Sequence, residues 1–276
     1  MGITNNRKEI KNIKMSIQVS LNGLSFCALD RERNAVVFLK QLDFEKKLNP
    51  IEVLAQIEKV YSKEAFLQKI PGEVEVLFSN DLYTIVPEEL FSEENASDYL
   101  KFNTKILETD FVAHDYLKET GLVNLYIPYT NINNYFFDKY GEFEYRHSTT
   151  ILVEEFLKKN SHQTGEAKIF LNNYASGYDL IVIQNGKLLL TNSFTCETKE
   201  DFIYYLLFTA EQLELDPATF ELILLGDISE ESEEYKIAYT YVRNISFLPT
   251  AFGFIFEAEG TLPIGYKFFT LFKSLQ

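Results

Sequence analysis

The sequence predicts an α/β protein in which one structural unit is used twice. Three observations predict it. Three strand-like apolar runs, an amphipathic helix and a buried strand follow one another in the first third of the 276-residue chain, and the same order returns about 150 residues later. The strand runs are punctuated by Asn22-Gly23 and by Asn185-Gly186, pairs that tolerate the positive φ a tight hairpin demands. The closing strands, VEVLFSND and FELILLGD, share a Glu in second place and an Asp at the end.

In chain order, residues 16–29 (SIQVSLNGLSFCAL) read as a first hairpin, and 35–42 (AVVFLKQL) as a third strand after the polar turn DRERN. Apolar positions at Ile51, Leu54, Ile57 and Val60 give the spacing of a helix over 50–69. Pro71-Gly72 interrupts the chain before the strand that ends at Asp81. In the second unit IFLNN, YDLIVIQ and KLLLTNSF are the three strands. A helix near 199–214 carries Phe202, Tyr205, Leu206, Ala210 and Leu213 on one face, and the last strand ends at Asp227. Between the units, EENASDYLKFN reads as a helix, ETDFVAHDYLKET and LVNLYIP as strands, and 131–140 and 150–159 as helices around the strand EFEYRH. The polar SHQTGE at 161–166 is a candidate joint. The expected division is a flexible tail over 1–14, a first domain over 15–150 and a second over 151–276, joined near 148–166.

Three meandering strands followed by helix and strand, done twice, resemble the duplicated ribonuclease H-like halves of the actin-like ATPase superfamily. NNYASGYD at 172–179 is similar to that superfamily's second phosphate loop, with Asn172 on its first Asp and Asp179 on its last. SLNGLS at 20–25 is similar to the first phosphate loop, with Ser20 on the Asp position and Asn22 and Gly23 following. LLGDIS at 224–229 resembles the adenosine motif, of whose two glycines Gly226 is kept. FSNDLYTIVPEELF, LVNLYIPYTNINNYF and HSTTILVEEF resemble a bacterial family of proteins of unknown function with an actin-like ATPase fold. A more distant similarity runs to the actin-fold scaffolds of type IV pilus and type II secretion assembly.

The resemblance implies a place for ATP with Mg²⁺, and the residue chemistry argues against it. A phosphate cradle needs glycines so that backbone N–H groups can approach the oxygens, and carboxylates to hold hydrated Mg²⁺. Ser20 and Asn172 are neutral, while Tyr174 and Ser176 replace glycines and Gly177 sits one step off the pattern. Ser20, Asn22, Gly23, Asn172, Ser176, Gly177, Asp179 and Gly226 are therefore expected to form degenerate loops. Asp81 and Asp227 either pair across a cleft, to bind a cation or act as a base, or serve as turn and helix-capping residues. Asp179 has the same two readings. His147 is expected beside a helix cap, and HExxH, GxxxxGK[ST] and GxSxG motifs are absent.

Composition narrows the partners. With 41 acidic against 26 basic residues the formal net charge is −15, which disfavours nucleic acid. The basic residues Arg7, Lys8, Lys11 and Lys14 group in the expected tail. Two cysteines, Cys27 and Cys196, without CxxC spacing suit a reduced, cytoplasmic setting, and no signal peptide or transmembrane segment is expected. The expected function is a non-catalytic actin-fold scaffold that binds an unidentified protein and uses no cofactor, with a homodimer possible. The alternatives are a divergent nucleotide-binding protein, ATPase or phosphotransferase using Asp81, Asp179 or Asp227, and a membrane-surface scaffold recruited through the basic tail.

Overall fold

The computed structural model describes residues 9–102, 104–107, 110–259 and 264–276. Its first half contains β1 (Glu9–Val19), β2 (Gly23–Asp30), β3 (Ala35–Asp43), α1 (Pro50–Lys63) and β4 (Ile70–Phe78). An insertion follows, with β5 (Tyr83–Pro87), α2 (Ala96–Lys101), β6 (Ala113–Leu117) and β7 (Leu122–Tyr126). Next come α3 (Thr130–Tyr140), β8 (Glu144–His147) and α4 (Ser148–Asn160). The second half contains β9 (Lys168–Tyr174), β10 (Gly177–Gln184), β11 (Lys187–Thr195), α5 (Lys199–Gln212), β12 (Glu221–Gly226), α6 (Glu233–Tyr241) and β13 (Asn244–Phe247). The chain closes with β14 (Ile255–Phe256) and α7 (Phe269–Lys273).

The duplication is visible in the sheets. The first runs β14-β3-β2-β1-β4-β8 and the second β11-β10-β9-β12-β13, so five strands keep one order in both. In each, the first three strands pair antiparallel and the last two join in parallel. The insertion forms its own sheet, β5-β7-β6. The equivalent helices α1 and α5 both start in a capping box, Asn49 with Glu52 and Thr198 with Asp201. In such a box two amides at the helix start are satisfied reciprocally, which fixes where each helix begins. The buried face of α1 is Val53, Ile57, Val60 and Tyr61; Ile51 lies in the first turn and is exposed, and the helix stops at Lys63, earlier than the spacing predicts.

Strand alternation divides the side chains between two faces. On β1 and β2, Met15, Ile17, Val19, Leu24 and Phe26 pack toward α1 and α3, while Cys27 and Leu29 face the other way, onto Leu271, Phe272 and Leu275 of the C-terminal segment. On β9 and β10, Ile169, Leu171, Leu180 and Val182 pack toward α5, while Phe170, Ile181 and Ile183 meet Leu152, Val153 and Phe156 of α4. The inner face of the second sheet is thus covered by α4, which leaves the last strand of the first sheet. The inner face of the first is covered by α7, which ends the chain. Hydrogen bonds fix α7 there: Thr270 donates to Gln18 at 2.7 Å and Ser274 to Ser16 at 2.5 Å. Phe156 joins the two helices, stacked on Phe170 at 4.0 Å and beside Phe269 at 5.6 Å.

Two boundaries differ from the expectation. Residues 9–14 are the first half of β1, paired in parallel with β4, rather than a tail; residues 1–8 lie outside the described residues. Lys14 is buried and bridges Glu73 at 3.1 Å and Glu75 at 3.5 Å, so its charge is spent inside the fold. At the other end, β14 pairs with β3, and α7 packs on β1 and β2 through Leu271 and Phe272 while its Phe269 meets α4 and the second sheet, so the C-terminal segment touches both halves. Short local patterns name strands and helices, and they carry no information on which sheet a distant segment joins.

Removing the ring that joins the two helices tests the clasp. Phe156→Ala is expected to lower unfolding free energy by about 3–5 kcal/mol, measured by urea denaturation.

Candidate functional site

The inner faces carry the turns expected to hold phosphate. Ser20 follows Ser16 and Gln18 in phase along β1, and Asn172 follows Phe170 along β9, so both reach the cleft between the halves. That cleft gathers Ser20, Asn22, Gly23, Asn172, Ser176, Asp179 and Gly226, together with Asp81 and Asp227. Gly177 is not among its lining residues. The cavity holds about 140 Å³. Small-molecule sites usually measure roughly 300–1,000 Å³.

The first turn satisfies itself. Ser20 Oγ accepts from the amides of Asn22, at 3.2 Å, and Gly23, at 3.0 Å, which are donors a phosphate oxygen would otherwise take. The two turns also touch: Asn22 Nδ2 donates to Ser176 Oγ at 2.7 Å, a bond between residues 154 apart in sequence. The retained glycines have packing reasons. At Gly177, with φ of 150°, a Cβ would stand 1.9 Å from the Phe194 carbonyl oxygen on β11. At Gly226, with φ of 84°, it would stand 2.1 Å from the Asn173 carbonyl oxygen on β9. Close strand approach alone demands glycine at both.

Beneath the second turn lies a buried carboxyl. Asp179 accepts from Ser193 Oγ at 2.7 Å, Asn172 Nδ2 at 3.1 Å and the Tyr174 hydroxyl at 3.5 Å. Burial is the main reason its pKa rises from the ordinary 3.8 to about 6, with the nearby Asp81 charge pushing the same way and the three donors opposing. Tyr174 turns its hydroxyl inward over Asp179, and burial drives that phenol well above its usual range. Tyr83, on β5, extends the network from the insertion to β11, its hydroxyl 3.1 Å from Thr191 Oγ1 and 3.5 Å from Ser193 Oγ. Sequence reasoning missed Tyr83, Thr191 and Ser193. The polar alternation of T-N-S within the apolar run LLLTNSF was the available signal.

The other acids are placed differently. Asp227 is exposed and tied to Lys267 at 2.7 Å, and Asp81 is exposed at the rim. Among the described residues, no three His, Cys, Asp or Glu side chains group to hold a metal. The residues do not fit a Mg²⁺–nucleotide: the strand-end positions are neutral, the first turn's amides are occupied, and the cleft's buried carboxyl already accepts three bonds. His147 caps α4. Its Nδ1 accepts from the Thr149 amide and Nε2–H donates to Asn80 O, both at 3.2 Å, and burial lowers its pKa to about 3, so it is neutral. Both cysteines are free thiols, and burial raises Cys27 and carries Cys196 to about 11.

A family of proteins described as of unknown function, DUF3822, matches residues 3–245. The chain belongs to the DUF3822 family. Among solved structures, a Bacteroides thetaiotaomicron VPI-5482 protein "with actin-like ATPase fold and unknown function" is similar at a TM-score of 0.77 and 26% identity, over 86% of this chain and 91% of that one. A chain of the "PilM-PilN type IV pilus biogenesis complex" is similar at a TM-score of 0.53 and 11% identity, over 87% and 88%. Among curated proteins none matches. This DUF3822 member therefore has the actin-like ATPase fold, built from two ribonuclease H-like halves. No helix among its described residues is long and apolar enough to cross a membrane.

Asp179 gives a pH signature. A carboxyl whose pKa is higher folded than unfolded favours the fold below its unfolded pKa, and that contribution is lost as pH rises through the folded value. The shift from 3.8 to about 6 corresponds to roughly 3 kcal/mol. Thermal unfolding of the wild type relative to Asp179→Asn is expected to show a stability difference that moves against the wild type between about pH 4 and 6 and is flat above. Parallel profiles would remove the assignment.

Proposed function

We propose that this DUF3822 protein is a non-catalytic actin-fold scaffold whose partner is another protein, and that it works without nucleotide. The observation that carries the reading is the Asn22–Ser176 hydrogen bond, which joins the two turns across the space a phosphate would need. The occupied amides of the first turn, the neutral Ser20 and Asn172 and the small cleft support it. A solved relative of the fold in a protein complex, PilM–PilN, supports a protein partner by fold alone. The acidic surface and free thiols suit a cytoplasmic setting within this reading.

Thermal unfolding with millimolar Mg²⁺–ATP, ADP or GTP tests it. A ligand at about 100 times its dissociation constant adds roughly 2.7 kcal/mol and shifts the midpoint by several degrees in a chain of this size. The expected result is no shift with any of the three. Affinity capture with the full chain is expected to retain the same partner in the same amount with and without Mg²⁺–ATP. A nucleotide shift, or a partner released by nucleotide, would overturn the proposal.

A further inference from the structure

A larger cavity lies elsewhere among the described residues. It holds about 670 Å³, and its walls are the β6–β7 turn, α4, the β10–β11 turn and the C-terminal segment. None of its lining residues belongs to the cleft described above. Its volume lies within the roughly 300–1,000 Å³ usual for small-molecule sites, where that of the front cleft does not.

Its chemistry is two-sided. Leu122, Ile151, Leu157 and Leu188 supply an apolar floor. Charged groups surround it, and most cancel: Arg146 is held by Glu75 at 2.7 Å and Glu154 at 3.5 Å, and Lys273 by Glu155 at 2.9 Å. Glu154 also accepts from the Lys118 amide at 2.7 Å. Lys118, Lys158 and Lys187 are left, each from a different wall and none in an ion pair among the described residues; Glu119 is the one lining carboxylate that also stays unpaired there. Lys118, Lys158 and Lys187 make this cavity locally positive in a chain whose net charge is −15. Their position is fixed by the fold. The β10–β11 turn that carries Lys187 sits so close to the end of α4 that a Cβ on Gly186 would lie 2.8 Å from the Ser161 carbonyl oxygen.

We propose that this cavity binds a small amphipathic organic anion, with an apolar body on Leu122, Ile151, Leu157 and Leu188 and an anionic head among Lys118, Lys158 and Lys187. The site is independent of the scaffold reading, because no nucleotide-loop residue takes part. Because α4, β8 and the β10–β11 turn come from both halves, a ligand there bridges them.

Fluorescence titration of the full chain with anilinonaphthalene sulfonate tests the proposal, since that probe combines an aromatic body with one fixed negative charge. Saturable binding at one site per chain is expected. Charge reversal at Lys118→Glu, Lys158→Glu or Lys187→Glu is expected to weaken it by about tenfold each, as like charge replaces opposite charge at short range. Lys47→Glu, at the front cleft, is expected to leave it unchanged, and all four exposed substitutions preserve the circular dichroism of the fold. Absence of saturable binding, or binding that ignores the three rear lysines, would overturn the site.

Discussion

Each of the two large sheets of this protein has one face that its own neighbouring helices leave open, and each open face is covered by a helix arriving from across the molecule. α4 leaves β8 of the first sheet and lies on Phe170, Ile181 and Ile183 of the second. α7 returns from the second half onto Cys27, Leu29 and Val36 of the first. Burying these faces supplies apolar stabilisation that neither half obtains alone, at about 25 cal/mol per Å². It also fixes the two sheets so that equivalent turns, Ser20–Gly23 and Tyr174–Gly177, meet at one cleft. The Asn22–Ser176 bond is a consequence of that placement.

What the cleft can do follows from which backbone donors are free. An actin-like fold brings two hairpin turns together, and with glycines and carboxylates there the amides point at phosphate oxygens and the acids at a hydrated cation. Here a serine hydroxyl takes the first turn's amides, an asparagine side chain crosses to the second turn, and a tyrosine hydroxyl lies over the buried carboxyl. The polar groups are satisfied by one another, which favours a fixed shape over an open site. In the proposed reading, the bonds that hold the two turns together are also what leaves the cleft without a nucleotide.

The strands and helices were legible because their periods are local: Ile57 and Val60 of α1 and Phe202, Leu206 and Ala210 of α5 fall at helical spacing and are buried. The repeat was legible in element order, and the two turns it points to lie at one cleft. The destination of the C-terminus was not, since Phe269, Leu271 and Phe272 read as core without saying whose. Lys14 read as part of a solvated tail because its partners, Glu73 and Glu75, are set by a parallel pairing with a strand far along the chain. The Tyr83–Ser193–Asp179 network and the rear lysines depend on contacts between segments too distant in sequence for any pattern to join.

The most direct test of a non-catalytic cleft is ATP turnover by the wild type and by Asp179→Ala, with Mg²⁺ present and phosphate release as the readout. The account predicts that both match the protein-free rate. Turnover above that rate, abolished by Asp179→Ala in a protein that stays folded, would contradict it.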